Sequence, residues 1–285
     1  MKSSGPIAVV GATGRQGSAT VNALLDRGLP VRGLTRHVDS DAAKGLARRG
    51  AEVVEADLAD PASIRHAFEG AAAAFAMTSF KGYGFEGEVA QGKVIGDAAK
   101  EVGLPFLVYS SVAGADRNSG VPHFESKERI EEYLRGLGLA LNVVRPVFFM
   151  ENLIRWHTIG RDDQGWAVRL ALPADVPLQM VATRDIGKVA AALIAAHDPD
   201  AAPIEIASDE VTGQRLTELV SHLVKEPAHF IQLPLQTMGD DDMIKMFTWF
   251  VDKAPAFQAD FDRTRQLVPD LEDLPTFLAL SPQLG

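Results

Sequence analysis

A doubly wound α/β fold, a parallel sheet with helices on both faces, is the architecture this sequence predicts. Three observations carry that expectation. Short apolar runs alternate with stretches of helical periodicity through the first 150 residues, the order that builds parallel βαβ units. The first apolar run opens directly onto three evenly spaced glycines, Gly11-Ala-Thr-Gly14-Arg-Gln-Gly17. The chain of 285 residues is 46% hydrophobic and 23% charged, enough apolar material for one large domain with an appended smaller lobe.

The glycine turn comes first. Gly11 permits a tight turn after the strand that ends at Val10, Gly14 lets backbone approach a pyrophosphate, and Gly17 lets the following helix pack close to the strand. The free N–H groups of the helix start, around Thr13, Arg15 and Gln16, face the anion. The helix itself is predicted over residues 18–27, where Val21, Leu24 and Leu25 recur at helical spacing and Gly28 stands at the C-cap position. This is a dinucleotide-binding signature.

The second strand, residues 31–36, decides which dinucleotide. Enzymes that use NAD carry an acid at its end for the ribose 2′-OH, and no acid stands here. Arg36 stands there instead and offers a planar cationic fork to a 2′-phosphate, so NADP(H) is expected over NAD(H), the other reading being a solvated surface arginine. The third strand, 51–57, ends at Asp57, which with Leu58 suits the adenine side or else caps the helix before Pro61. Strands at 71–79, 105–111 and 139–147 follow, separated by helices at 61–69, 86–102 and 124–137. Their carboxyl ends, at Thr78, Ser110, Pro146 and Phe148, are expected to meet the glycine turn in one crevice. Beyond Glu151 the alternation weakens: strands near 168–172, 179–182, 204–207 and 229–233 alternate with helices near 185–197, 213–224 and 237–253. The expected division is therefore a Rossmann domain over residues 1–150 and a smaller α+β lobe for substrate or partner over 151–285, partly interleaved with the sheet.

The spacing G-x-x-G-x-x-G belongs to extended and atypical short-chain dehydrogenases. Together with Thr35-Arg36, His123-Phe-Glu-Ser-Lys127 and Arg145-Pro-Val-Phe-Phe-Met-Glu151-Asn152-Leu153, it resembles the NmrA-like family over about residues 6–250. The resemblance implies the Rossmann fold and NADP(H), and either of two roles, since the family holds NADPH-dependent quinone or azo reductases as well as NADPH-sensing regulators that only bind the nucleotide. Short-chain dehydrogenases pair a tyrosine proton donor with a lysine four residues later and a serine upstream. Lys127 and Ser110-Ser111 match the last two, but His123 occupies the tyrosine slot. Spacing of four puts His123 and Lys127 on one helical face, and a lysine cation beside a histidine favours the uncharged ring, a feeble acid. Ketone reduction is accordingly expected to be poor. Quinones escape this limit because their reduced forms are delocalised phenolates that need no proton during hydride transfer. The other reading of His123 is a helix-start residue without chemistry.

Large apolar groups surround the expected site. Phe80 and Tyr83 follow the fourth strand, Phe148, Phe149 and Met150 follow the sixth, and Trp156 lies just beyond, so that a flat aromatic acceptor would find stacking partners. Phe247, Trp249 and Phe250 in the last long helix read as core or oligomer contact. Asn152 resembles the family's position at the nicotinamide end, or caps a helix.

Other chemistries find little support. The seven histidines show no metal-ligand spacing, so no metal is expected. Zero cysteines exclude disulfides and thiolate switches. Asp240-Asp241-Asp242 reads as a helix start, as does Thr183-Arg-Asp185 with Thr183 or Asp185 as cap. A net charge of −10, from 28 basic and 38 acidic residues, argues against nucleic acid as a partner. No run approaches membrane-spanning length, and Met1-Lys-Ser-Ser-Gly runs into the first strand rather than a signal-peptide core, so the cytoplasm is the expected location. The expected partner is a small quinone-like aromatic substrate or, for a sensor, a regulatory protein.

Overall fold

The computed structural model describes residues 5–281. Residues 1–4, read above as leading into the first strand, lie outside the described residues. The Rossmann half runs β1 (Ile7–Val9), α1 (Arg15–Asp26), β2 (Val31–Thr35), α2 (Asp41–Arg48), β3 (Glu52–Glu55), α3 (Pro61–Phe68), β4 (Ala73–Met77), α4 (Gly84–Glu101), β5 (Leu107–Ser110), α5 (Pro122–Gly136) and β6 (Leu141–Pro146). The remainder runs β7 (Phe148–Phe149), α6 (Glu151–Arg155), β8 (Ile159–Asp162), β9 (Gly165–Leu170), β10 (Leu178–Val181), α7 (Thr183–Ala196), β11 (Ile204–Ile206), β12 (Asp209–Val211), α8 (Gly213–Val224), β13 (Ala228–Gln232), α9 (Asp241–Asp252), α10 (Phe261–Leu267) and α11 (Leu274–Ala279).

Seven strands form one parallel sheet in the order β11-β6-β5-β4-β1-β2-β3. The direction of winding reverses at β1, which pairs with β2 on one side and β4 on the other. That reversal opens the crevice at the carboxyl edge. The strands are apolar on both faces, as a doubly covered sheet requires. Ile7 and Val9 pack with Val21 and Leu24 of α1 and Ile186 and Val189 of α7. Ala8 and Val10 pack on the other side with Ile64 and Phe68 of α3, Ile95 of α4 and Ile130 of α5. Two three-stranded sheets, β12-β10-β7 and β13-β9-β8, stand beyond the carboxyl edge.

Several elements differ from the sequence reading. The helix α2, between β2 and β3, was not foreseen; Ser40 caps it by accepting the Ala43 N–H at 3.2 Å, and its apolar content is small, only Ala43 and Leu46 being buried. Short elements β7, α6, β8, β12, α10 and α11 also carry too few residues to show a period. Asp60 rather than Asp57 caps α3. The cap of α7 is Ala182, not Thr183 or Asp185: Thr183 gives its N–H and hydroxyl to Glu151 at 2.9 and 2.6 Å, and buried Asp185 accepts the Glu272 N–H at 2.7 Å.

Sequence beyond residue 151 completes the first layer as well as building the second. The strand β11 forms one edge of the main sheet, and α7 lies directly on α1. Contact between those helices is backbone to backbone, since a Cβ on Gly187 would sit 2.4 Å from the Ala19 carbonyl carbon and 2.7 Å from the Thr20 nitrogen. Across the other face, the Glu131 carboxylate of α5 takes two hydrogen bonds from Arg145 at the end of β6, at 3.0 and 2.7 Å, and Arg145 donates a further one to Asp116. This fork ties the second half of α5 to the end of β6.

Gly187→Val would force α7 off α1. Overpacking of this kind is expected to lower the unfolding free energy by about 3 kcal/mol. The urea midpoint of the variant should fall accordingly; an unchanged midpoint would mean that the helices do not pack this closely.

Candidate functional site

The glycine turn threads between two strands. Val10 N–H donates to Phe75 O and Ala12 N–H to Leu34 O, each at 2.9 Å, which brings the chain through the opening between β2 and β4. Gly11 then takes a left-handed backbone, φ +66°, and its carbonyl accepts the Gly14 N–H at 2.8 Å. No side chain caps α1 at Gly14, so the first N–H groups of the helix are left to whatever occupies the cleft. A Cβ on Gly17 would lie 2.1 Å from Gly11 O, which leaves glycine as the residue that fits. The cradle leaves backbone N–H groups facing the cleft, with no side chain in between, an arrangement that suits an anion.

A cleft of about 550 Å³ extends from this turn, lined by Gly11, Thr13, Gly14, Arg15, Gln16, Arg36, Asp57, Leu58 and Thr78. Thr13 is tied to Thr35 through their hydroxyls at 3.1 Å. At the far end the exposed Arg36 donates to the Tyr83 hydroxyl at 3.2 Å. Tyr83, expected among the substrate contacts, thus stands beside Arg36 at the outer end of the cleft. At the inner end Arg15 reaches Asn152 Oδ1 at 3.3 Å and lies over the Phe149 ring, 5.7 Å from its centre. Partial burial and neighbouring Arg155 hold the Arg15 guanidinium below the ordinary arginine value, while Glu151 offsets part of this. Such a partly dehydrated cation is well suited to phosphate oxygens.

A second chamber of about 340 Å³ continues inward, sharing Arg15, Gln16, Thr78 and Phe149 with the cleft. Phe80, Phe148, Phe149 and Trp156 form its apolar walls, and Asn152, Ser111, His123 and Lys127 its polar edge. Met243, Met246 and Phe250 of α9 close the outer side, whereas Phe247 and Trp249 are buried in an aromatic cluster with Phe124 and Phe257. Two expected contacts lie elsewhere: Ser110 is buried behind the wall and donates to Gln16 Oε1 at 2.6 Å, and Pro146 is buried at the end of β6, where its carbonyl takes the Ala113 N–H at 3.0 Å. It is Ser111 whose hydroxyl, buried and without a partner among the described residues, lines the chamber.

Lys127 is enclosed by a polar network. Its ammonium donates to Thr78 Oγ1 at 2.8 Å, Thr78 O at 3.2 Å and Glu88 Oε1 at 3.1 Å, which uses all three protons. Thr78 in turn donates to Glu88 at 3.0 Å and meets the Tyr109 hydroxyl at 3.0 Å. Burial pulls the ammonium down, but Tyr109 and Glu88 more than reverse this and hold it above the ordinary lysine value. Burial likewise pushes the Tyr109 phenol up.

His123 has a different neighbour from the one expected. Its Nδ1 lies 2.7 Å from Asp242 Oδ2, and its backbone N–H donates to Asp242 Oδ1 at 2.9 Å. Asp240-Asp241-Asp242, expected as a helix start, does more than that. Asp240 does cap α9, accepting the Met243 N–H at 2.8 Å, but Asp242 crosses to α5. Lys127 is not the charge that faces His123, contrary to expectation: Glu88 meets the lysine's charge and a carboxylate faces the ring. Nothing in the sequence could have paired residues 119 positions apart. Among the described residues no group of three or more histidines, aspartates or glutamates is gathered as a metal site.

A parallel seven-stranded sheet, a glycine cradle at its switch point and an adjoining chamber define a Rossmann-type protein. The chain belongs to the NmrA-like family, which it matches over residues 3–268. It is 36% identical to the NmrA-like family domain-containing oxidoreductase FrzB of Cladobotryum sp over 160 residues, 52% of this chain and 48% of that protein. The chain thus aligns with about half the length of that relative. It is 26% identical to the NAD(P)H azoreductase of Xenophilus azovorans, over 81% of this chain and 78% of that one. Among solved structures it resembles the negative transcriptional regulator NmrA in complex with NADP, at TM-score 0.82 and 21% identity over 97% of this chain and 95% of that chain. It also resembles the NADPH-dependent quinone oxidoreductase QOR2 of Escherichia coli complexed with NADPH, at TM-score 0.77 and 20% identity over 94% and 97% of the two chains.

Lys127→Met would leave the Glu88 carboxylate buried without its cation. Breaking such a pair is expected to remove about 3 kcal/mol of stability at neutral pH. The double variant Lys127→Met/Glu88→Gln should recover part of the loss in urea denaturation, and equal stability of single variant and wild type would show the network to be unimportant.

Proposed function

We propose that this protein is an NADP(H)-dependent reductase of quinone-like or other conjugated aromatic compounds, acting in the cytoplasm. The observation that carries the reading is the continuity of the two cavities. A cleft shaped for a dinucleotide opens, at the end opposite Arg36, into a chamber walled by aromatic rings, among them Phe80, Phe148, Phe149 and Trp156. The glycine turn and the start of α1 would hold the pyrophosphate, Arg36 the 2′-phosphate, Asp57 and Leu58 the adenine side, and Asn152, Phe148 and Ser111 the nicotinamide end. When bound, the reduced cofactor supplies a hydride. Phe80, Phe149 and Trp156 would then sandwich a flat acceptor, and excluding water from that space strengthens every polar contact at its edge. Residues 151–285 contribute much of the outer wall, in keeping with a substrate lobe.

The replacement of the tyrosine by His123 favours a second reading, a nucleotide-occupied regulator without turnover that signals to a protein partner. That NmrA is described as a negative transcriptional regulator supports it. The two are separated by incubating the protein with NADPH and a panel of quinones and following the nicotinamide absorbance. Oxidation that saturates with quinone and is lost in Gly14→Val, whose side chain would occupy the pyrophosphate's place, is the expected result; tight NADPH binding with no turnover would give the regulator.

Preference for NADP(H) rests on Arg36. A charge-assisted contact to the 2′-phosphate is expected to contribute about 1.5 to 3 kcal/mol, roughly tenfold to hundredfold in affinity. Titration of nicotinamide fluorescence should show Arg36→Ala weakening NADPH by that factor with NADH almost unaffected. Equal effects on both nucleotides, or a wild type that prefers NADH, would refute the assignment.

A further inference from the structure

We propose that Asp242 is a positioning residue for His123, and that this histidine–carboxylate pair supplies a proton to the acceptor as it is reduced; the second part rests on the reductase reading above. One carboxylate makes both contacts: Oδ2 meets Nδ1 at 2.7 Å and Oδ1 takes the backbone N–H of the same residue at 2.9 Å. A carboxylate only accepts, so Nδ1 must be the nitrogen that carries hydrogen. No other bond is made to the ring by the described residues, which leaves Nε2 for the chamber that His123 lines. Phe124 meets the ring edge-on at 4.6 Å and Phe80 lies tilted at 5.9 Å, so the imidazole has little freedom to turn. Asp242 itself lies in the first turn of α9 and reaches the first turn of α5, where both helix dipoles favour its negative charge.

The chemistry this permits divides the conjugated acceptors by their need for a proton, and the pair serves those whose reduced form is strongly basic, such as aromatic azo compounds. As hydride from the nicotinamide cofactor adds to one nitrogen of the N=N bond, the π electrons move to the other nitrogen, which takes the proton from Nε2 of the imidazolium. The electrons of that N–H bond stay on the ring. The acceptor gains one hydride and one proton, the cofactor leaves oxidised, and the neutral ring, its Nδ1–H still on Asp242, regains a proton from water. A quinone needs no such donor in the same step, because its product anion is delocalised. The pair is therefore important for one class of acceptor and dispensable for the other.

Ring ¹⁵N shifts of His123 test the positioning without turnover. Wild type should show the Nδ1–H tautomer in the neutral ring, with or without NADPH, and Asp242→Asn should lose it; His123→Gln identifies the signal. Kinetics with an aromatic azo dye and a para-quinone test the proton transfer. With the azo dye, kcat is expected to fall about 100-fold in His123→Gln and about tenfold in Asp242→Asn. Nucleotide affinity should stay near wild type, and quinone turnover should fall far less than azo turnover. Asp240→Asn removes a negative charge two residues away without touching His123 and should keep both the tautomer and the azo-to-quinone ratio. A wild-type ring protonated at Nε2 alone overturns the positioning; equal losses on both acceptors, or none on either, overturn the proton transfer. Absence of any turnover in wild type would sink the reductase reading and the proton transfer with it, while the tautomer still decides the role of Asp242.

Discussion

Helix α1 is held between two glycine contacts, and the geometry of the molecule depends on them. At its start, Gly17 lets the helix sit against the Gly11 carbonyl, and along its flank Gly187 lets α7 approach the backbone of Ala19 and Thr20. A methyl group at either place would overlap backbone, which cannot move aside as a side chain can. The first contact aims the unpaired N–H groups of α1 at the cleft. The second binds a helix from the C-terminal half to the Rossmann layer, so the residues that wall the chamber are carried by the same rigid framework as those that cradle the nucleotide. Positions on such elements are held more closely than positions on loops.

Around the chamber, buried charge is compensated locally. Lys127 and Glu88 share Thr78, Tyr109 and Ser126 in a closed network on β4, β5, α4 and α5, and Arg145 and Glu131 form a fork between β6 and α5. Each pair holds an element whose end forms the site. The matching lysine of short-chain dehydrogenases is read as acting beside a tyrosine. Here every proton on Lys127 Nζ is committed to Thr78 and Glu88, so a direct role toward an acceptor would require breaking buried bonds.

The strands of the first half and their helices were legible because a doubly covered parallel sheet writes itself as continuous apolar runs, and the glycine turn has a strict spacing. Asp240 as a helix start was legible too, since capping is a local matter. What escaped was non-local or short. The helix α2 buries only two residues, and β11 joins β6 as the seventh strand after some sixty intervening residues, with nothing in its three residues to mark the pairing. Tyr83 was placed by its aromatic character alone, but two left-handed glycines, at 82 and 84, turn its loop outward toward Arg36. Of the adjacent serines, period-two alternation puts Ser111 rather than Ser110 toward the chamber, a distinction that depends on where the strand ends.

The tyrosine's absence gains a physical setting from these contacts. A tyrosine donor depends on a nearby free cation to ease loss of its proton, and Lys127 is already neutralised by Glu88. A histidine depends instead on a carboxylate to fix its ring, and Asp242 stands within 2.7 Å of it. The two differences from the short-chain dehydrogenase pattern, a committed lysine and a substituted tyrosine, are therefore one change seen from two sides. It also shifts the origin of the site: the pattern read on α5 draws both of its residues from one helix, whereas the pair in this chain takes its carboxylate from α9, the helix whose Met243, Met246 and Phe250 form the outer wall of the chamber. Placement of the wall and orientation of the imidazole then depend on the same element, so that a shift of α9 would change both together.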